Sequence, residues 1–283
     1  MIKMIVSDMD GTLLLSDASI SQKNLEAIRY AQSKGVNFTI ATGRDYFGLK
    51  GIMERYGLHC YSILGNGAQF CDEKGNVLSS CYFPKESFKE VLQIFDDLNT
   101  YYMIFTNAGF YTTTKPETVR DAFIERCVHK FNRNKEDYYN GSQEDMPCMH
   151  LKQIEDVDAF LKSDIEIIKV EAFNIDTSLI AKAKEKLANV AKIAYLSSFD
   201  DNVEVTDQKA QKGLILKQVV KEMKISEDEV MVLGDGLNDI TMFEKFKYSF
   251  APANADPQIK ELAYRVVASC QDSGFAEAIY MMI

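Results

Sequence analysis

The chain lacks a C-x-x-C pair, an excess of basic residues, an internal repeat, a low-complexity segment and any long apolar run. Each absence removes a class of protein. The six cysteines (Cys60, Cys71, Cys81, Cys127, Cys148 and Cys270) are scattered over 283 residues. A chain of this length needs no disulfide staples, so buried or half-buried reduced thiols are expected, in a reducing cytoplasm. His59, His129 and His150 are equally dispersed and are read as surface or packing residues. The net charge of −10 argues against a nucleic-acid partner, because binding a phosphate backbone needs a basic face. No stretch approaches the ~20 apolar residues of a membrane span. Asp8 and Asp10 interrupt any apolar N-terminus, so no signal peptide is expected either. A soluble, cytoplasmic protein follows, a monomer or weak homo-oligomer with a small-molecule partner.

What is present is ordinary globular material: 46% hydrophobic and 26% charged residues, enough for substantial cores. The length suits two domains better than one. Ile2 to Val6 is a short run rich in β-branched residues, the mark of a buried strand. It stops at Ser7-Asp8-Met9-Asp10-Gly11-Thr12, which delivers two carboxylates where the chain turns. Asp-Gly is also a common turn pair, so a plain hydrophilic turn is the competing reading.

Ser21 can cap a helix with apolar positions Leu25, Ile28 and Ala31, stopped at Gly35. A strand over Val36 to Ala41 ends at Thr42-Gly43-Arg44. A helix over Phe47 to Tyr56 follows, then a strand Tyr61 to Leu64 that ends at Gly65-Asn66-Gly67. This rhythm means parallel βαβ units with helices on both faces of the sheet. The fold class expected is α/β, a Rossmann-like doubly wound parallel sheet. In such sheets ligands bind beyond the carboxyl ends of the strands, where Asp8, Thr42 and Asn66 fall.

The texture then changes. Ala68 to Cys71 and Val77 to Phe83 form a hairpin pattern. From 84 to 207 helices and strands mix without the parallel rhythm. A helix with Phe88, Val91, Leu92 and Phe95 precedes strands Tyr102 to Thr106 and Phe110 to Thr113. A helix near Val119 to Arg126 leads to the polar region Asn132 to Asp137, and four further segments run over Ile167 to Phe173, Ile180 to Leu187, Ile193 to Leu196 and Val203 to Val205. The reading is an inserted α+β domain at 84–207 with a mainly antiparallel sheet, inside a core made of 1–83 and 208–283. The α/β rhythm returns with a helix opened by Lys212-Gly213. The strand Val230 to Leu233 then ends in Gly234-Asp235-Gly236-Leu237-Asn238-Asp239, and a strand Tyr248 to Ala251, a helix from Pro257 and a helix after Asp272 close the chain.

If the strands before Asp8 and Asp235 are neighbours, Asp8, Asp10, Asp235 and Asp239 converge. At an effective dielectric of 20 each close carboxylate pair costs about 4 kcal/mol, and a few pairs match the roughly 5–15 kcal/mol that keeps a domain folded. Such a cluster needs a cation or a proton. Oxygen ligands without Cys or His suit Mg2+. A phosphate would complete the balance. Thr42 offers a hydroxyl, Gly43 its approachable backbone, and Lys212 a charge at a helix start that already favours anions.

Asp8-Met9-Asp10-Gly11-Thr12, Thr42-Gly43-Arg44, Lys212-Gly213 and Gly234-Asp235-Gly236-Leu237-Asn238-Asp239 resemble, in this order, the four motifs of the haloacid dehalogenase superfamily. The placement of the insert resembles the Cof-like branch of sugar-phosphate phosphatases, whose insert is a cap domain. The resemblance implies a Mg2+-dependent phosphatase acting on small phosphorylated metabolites. Asp8 would be the nucleophile, ionised with an ordinary carboxylate pKa near 3.9, and would form an aspartyl-phosphate. Asp10 would be the general acid and then the base. The metal site implied is Asp8, the main-chain carbonyl of Asp10, Asp235 and, through water, Asp239. Thr42, Gly43, Lys212 and Asn238 would hold the phosphoryl oxygens, and Arg44 would touch substrate or brace its loop. Sugar phosphates are the default substrate, with pyridoxal or flavin phosphates as alternatives, because the cap matches no signature.

Two other readings stay open. A sugar phosphomutase of the same superfamily would return the phosphoryl group to sugar. A non-catalytic phosphate-binding or phosphoacceptor module would also gather aspartates around Mg2+, but it leaves Asp10 and a cap without a task.

Overall fold

The computed structural model describes residues 1–131, 134–139, 146–197 and 199–283. The chain divides into two compact units, one made of residues 1–81 with 209–283, the other of residues 82–208.

The first unit opens with β1 (Met4–Ser7), α1 (Gln22–Ser33), β2 (Asn37–Ala41), α2 (Tyr46–Tyr56), β3 (Tyr61–Leu64), β4 (Gln69–Cys71) and β5 (Val77–Ser80). The second unit carries α3 (Lys85–Asp97), β6 (Tyr101–Thr106), β7 (Gly109–Thr112), α4 (Pro116–Phe131), α5 (Lys135–Tyr139), β8 (Leu151–Gln153), α6 (Val157–Lys162), β9 (Ile167–Phe173), α7 (Thr177–Leu187), β10 (Ile193–Leu196) and β11 (Asn202–Asp207). The chain then completes the first unit with α8 (Lys212–Glu222), β12 (Val230–Leu233), α9 (Ile240–Lys245), β13 (Tyr248–Pro252), α10 (Pro257–Leu262), β14 (Arg265–Val267) and α11 (Gly274–Met282).

Among the described residues, the sheet of the first unit has the order β14-β13-β12-β1-β2-β3-β4-β5. Pairing is parallel from β14 to β3 and antiparallel at β3/β4 and β4/β5. Alternation along the buried strands decides what each face holds. Met4, Val6, Val230 and Val232 point to the face covered by Ile215, Val219, Phe243, Phe246 and Ile259 of α8, α9, α10 and the residues beside them. Ile5, Phe38, Ile40, Met231 and Leu233 point to the other, covered by Leu25, Ile28, Leu49, Phe275 and Ile279 of α1, α2 and α11. This is the doubly wound α/β core expected from the sequence. Ser21 caps α1 by accepting from the Asn24 amide, as its position suggested, and Asp45 caps α2 by accepting from Gly48.

The second unit has the sheet order β10-β11-β9-β6-β7-β8, antiparallel throughout except at β7/β8. One face, with Tyr102, Ile104, Val170, Ala172, Val203 and Val205, packs on Phe88, Val91 and Phe95 of α3 and on Ile180, Ala183 and Leu187 of α7. The alternate residues of β9 include Lys169 and Glu171. Lys169 is buried, donating to Glu204 at 2.6 Å and to Glu171 at 3.3 Å, with its ammonium over the Phe105 ring. A second buried pair, Arg126 with Asp201, is bidentate at 2.9 and 2.7 Å.

Four elements depart from the reading of the sequence. The polar region at 132–137 contains the start of a short helix, α5; Asn132 and Arg133 lie outside the described residues. β8 and β14 are three-residue strands at sheet edges, too short for a period of two to register. α6 is a six-residue helix capped by Asp156, whose carboxylate accepts from Asp158 and Ala159. No helix among the described residues is long and apolar enough to cross a membrane. Five of the cysteines are buried, and Cys81 is half-buried. Burial pushes the Cys60 thiol up to about 12, which keeps it protonated.

α8 and α9 meet at Gly213, where an added Cβ would overlap the Thr241 carbonyl and come within 2.6 Å of the Met242 nitrogen. Gly213→Val should therefore separate the two helices and cost about 1–3 kcal/mol, read as a lower urea midpoint at unchanged slope. An unchanged midpoint would show that the contact yields freely.

Candidate active site

Four adjacent parallel strands, β12, β1, β2 and β3, end together, and the candidate site lies at their carboxyl ends. Ser7 is level with Leu233 on one side and Ile40 on the other, so β1 delivers Asp8 between the β12 and β2 loops. The Asp8 amide donates to the Leu233 carbonyl at 2.9 Å, and the Thr42 amide to Ile63 at 2.8 Å, which extends the ladder one residue into the site. Asp8 and Thr42 are buried, as are Asp239 and Lys212.

Lys212, the first residue of α8, is wholly buried, and its ammonium lies between two carboxylates. Its Nζ donates to Asp8 Oδ1 at 2.5 Å and to Asp239 Oδ1 at 2.7 Å. The other oxygen of Asp239, Oδ2, accepts the amides of Asp235 and Gly236, both at 3.0 Å, and ties down its own loop. Asp235 Oδ1 accepts from the Thr12 hydroxyl at 2.6 Å. Gly11 has φ +86 and sits against Asp235; any side chain there would overlap the carboxylate. The Gly11 carbonyl is held by Asn254 Nδ2 at 2.8 Å, while Asn254 Oδ1 accepts the Cys270 amide.

One oxygen from each of Asp8, Asp235 and Asp239 falls within 4.8 Å of the others, a spacing that can hold a metal ion. Three of the four aspartates expected to converge thus do so. Asp10 does not bring its carboxylate to the cluster. Its oxygens accept from Arg44, Oδ2 from Nε at 2.9 Å and Oδ1 from Nη2 at 2.6 Å. That leaves to Asp10 only the main-chain contact with metal that the family resemblance implies.

The remaining candidates line the same end of the sheet. Thr42 Oγ1 accepts the Arg44 amide at 3.1 Å, so its hydroxyl steadies the loop, while Asp45 and not Thr42 caps α2. Asn238 Nδ2 donates to Asn66 Oδ1 at 3.1 Å. Gly43 lies against the same amide, since an added Cβ would stand 3.0 Å from Asn66 Oδ1. Asn66 itself adopts φ +58 and is buried. The sequence placed it at a strand end between two glycines without giving it a role; its contact with Asn238 joins the β3 turn to the β12 loop. Thr12, within the first motif, carried a signal of the same kind. Asn254 carried none.

The electrostatics differ from the expectation of an ordinary carboxylate at Asp8. Burial raises its pKa well above the usual range; Lys212 opposes this, and Asp239, Asp235 and Asp10 add to it. Asp235 is pushed up to about 6, by burial first and then by Asp239, against the Thr12 hydrogen bond and Lys212. Lys212 is held firmly protonated, because Asp239 and Asp8 outweigh its desolvation. Among the described residues, Lys212 is the cation in contact with the Asp8, Asp235 and Asp239 cluster, and one ammonium against three carboxylates leaves excess negative charge.

Lys212→Met removes that cation and strands two buried carboxylates. We expect a loss of about 3–5 kcal/mol at neutral pH without added metal. The loss should shrink as the pH falls, where a proton on Asp8, whose pKa burial raises, replaces the ammonium beside it. A pH-independent loss in denaturant unfolding would contradict this account.

Comparison with known proteins places the architecture. The chain is 28% identical to phosphatase YwpJ of Bacillus subtilis, over 97% of each sequence. It is 27% identical to the 5-amino-6-(5-phospho-D-ribitylamino)uracil phosphatase YwtE of the same organism, over 99% of this chain and 98% of that one. A solved haloacid dehalogenase-like hydrolase from B. subtilis superposes with a TM-score of 0.85 at 26% identity, each chain covered in full. The profile of the haloacid dehalogenase-like hydrolase family matches residues 5–279, so this chain belongs to that family.

Proposed function

We propose that the protein is a Mg2+-dependent phosphatase that hydrolyses small phosphate monoesters, sugar phosphates foremost, through an aspartyl-phosphate on Asp8. The observation that carries this reading is the meeting of Asp8, Asp235 and Asp239 oxygens within 4.8 Å of one another. The donor set fits the metal: all ligands are oxygens, and Asp8 and Asp235 are both raised, by burial first and then by neighbouring carboxylates. When bound, Mg2+ supplies the positive charge that lets an anionic phosphoryl group approach these carboxylates. Asp8, Asp235 and the Asp10 carbonyl would hold it, with Asp239 outside them, since the Asp239 oxygens are engaged by Lys212 and two amides.

The side chains divide the chemistry. An Asp8 oxygen attacks phosphorus, and the bond to the ester oxygen breaks with its electron pair leaving on that oxygen. Asp10 protonates the departing alcohol. It then takes a proton from water as the water oxygen attacks phosphorus, and the bond to Asp8 breaks to restore the carboxylate. Lys212, 2.5 Å from Asp8 Oδ1, provides a fixed positive charge beside the attacking carboxylate. The Thr42 hydroxyl, the Gly43 backbone and the Asn238 amide are assigned to the phosphoryl oxygens. The inserted region at 84–207 is assigned the role of a cap that selects the ester. The ribityl phosphate in the YwtE name supports a phosphorylated polyol or sugar.

Asp8→Asn should abolish p-nitrophenyl phosphate hydrolysis while leaving the circular dichroism spectrum unchanged; retained turnover would remove Asp8 from the nucleophile role. EDTA should silence the enzyme and Mg2+ restore it. Transfer between positions of a hexose phosphate, with little phosphate released, would favour a mutase instead.

The raised carboxylates also fix a pH dependence. Asp235 binds its proton more tightly folded, near pH 6, than unfolded, near 3.8. That contribution to stability is full below about pH 3.8 and is lost as pH rises through 6. A divalent cation takes the proton's place, so the rise in Tm on adding Mg2+ should be small at pH 5 and larger at pH 7.5. A rise that is constant or falls with pH would contradict the metal assignment.

A further inference from the structure

We infer that Arg44 is a positioning residue for Asp10: it fixes the plane of the carboxyl group that protonates the leaving alcohol. The inference rests on the phosphatase reading above and concerns a residue that the motif comparison left between touching substrate and bracing its loop.

The Asp10 side chain is 57% exposed, just ahead of the left-handed turn at Gly11. An exposed aspartate ordinarily samples several rotamers, and a general acid must hold one to within a few tenths of an ångström. Among the described residues, Arg44 is the side chain that donates to it, with two parallel hydrogen bonds of 2.6 and 2.9 Å. This bidentate geometry sets the orientation of the carboxylate plane as well as its distance, which a single ammonium does not do.

The guanidinium is itself anchored. Its Nη1 donates to the Gly48 carbonyl in the first turn of α2. The Arg44 amide donates to Thr42 Oγ1, and the Arg44 carbonyl accepts the Gly65 amide at 2.9 Å. The arginine therefore belongs to a braced segment between β2 and α2 and presents a fixed fork to Asp10. The Nε and Nη2 edge of the guanidinium is thus committed to Asp10.

The test separates positioning from a general structural role by the leaving group. p-Nitrophenolate departs without a proton, whereas an alkyl alcohol of similar shape does not. The experiment compares kcat/KM for p-nitrophenyl phosphate and benzyl phosphate in the Mg2+-loaded wild type, Arg44→Ala, Asp10→Asn and the double variant. This ratio reports the step that expels the alcohol and not the later hydrolysis. General acid catalysis is worth about 10^2 to 10^4-fold, so Arg44→Ala should lose about 10- to 100-fold more on benzyl than on p-nitrophenyl phosphate. In the Asp10→Asn background, removing Arg44 should add no such selectivity. Equal losses on both esters, or selectivity that persists without Asp10, would overturn the inference while leaving the phosphatase reading intact. A rise in KM alone, equal for both, would make Arg44 a substrate contact and overturn it too. Wild-type protein that releases phosphate from neither ester overturns the phosphatase reading, and this inference with it.

Discussion

The site depends on one buried ammonium. Lys212 is enclosed between Asp8 and Asp239, and without it two carboxylates would stand desolvated side by side. Buried ion pairs add little net stability, because desolvation consumes most of the attraction. Their value here lies in arrangement. The ammonium pins Asp8, at the end of β1, to the loop after β12, and an excess of negative charge remains around it. Asp239 is the quiet partner in this scheme. It spends one oxygen on Lys212 and the other on two amides of its own loop, so Asp239 sets the loop that carries Asp235.

Further hydrogen bonds hold the groups of the site from behind. Thr12 fixes Asp235, Asn254 fixes the Gly11 carbonyl, Asn66 fixes Asn238, and Arg44 fixes Asp10. These bonds join loops from different strands. Preorganisation of this kind is where much of the rate enhancement in phosphoryl transfer originates, since the protein contributes positioning and charge.

How much of this was legible in the sequence divides along a physical line. Asp8, Thr42 and Asp235 were placed correctly because buried parallel strands are continuous apolar runs, and the residue after such a run is a strand end. The order of four motifs then named the core. Side-chain direction beyond the strand end was not legible. Asp10 follows Asp8 by two residues, yet the turn at Gly11 sends its carboxylate to Arg44 and away from the cluster. The burial of Lys212 was equally hidden, because a lysine that opens a helix reads the same in solvent or in a core. In the inserted unit, Lys169 and Glu171 alternate with apolar neighbours as a solvated face would, while the fold buries Lys169 against Glu204 and an aromatic ring. Three-residue edge strands carried too little pattern to be found at all.

The pairing of β1 with β12 has a consequence for the chain as it is made. β1 lies mid-sheet, but only β2 among its partners is encoded nearby; Lys212 follows Asp8 by 204 residues. At translation rates of about 5–20 residues per second, one edge of β1 stays open for roughly 10–40 s on the ribosome. During that interval the whole inserted unit emerges and can close its own core, so the nascent polypeptide exposes an apolar strand, and an unmade charge pocket, until β12 has been made.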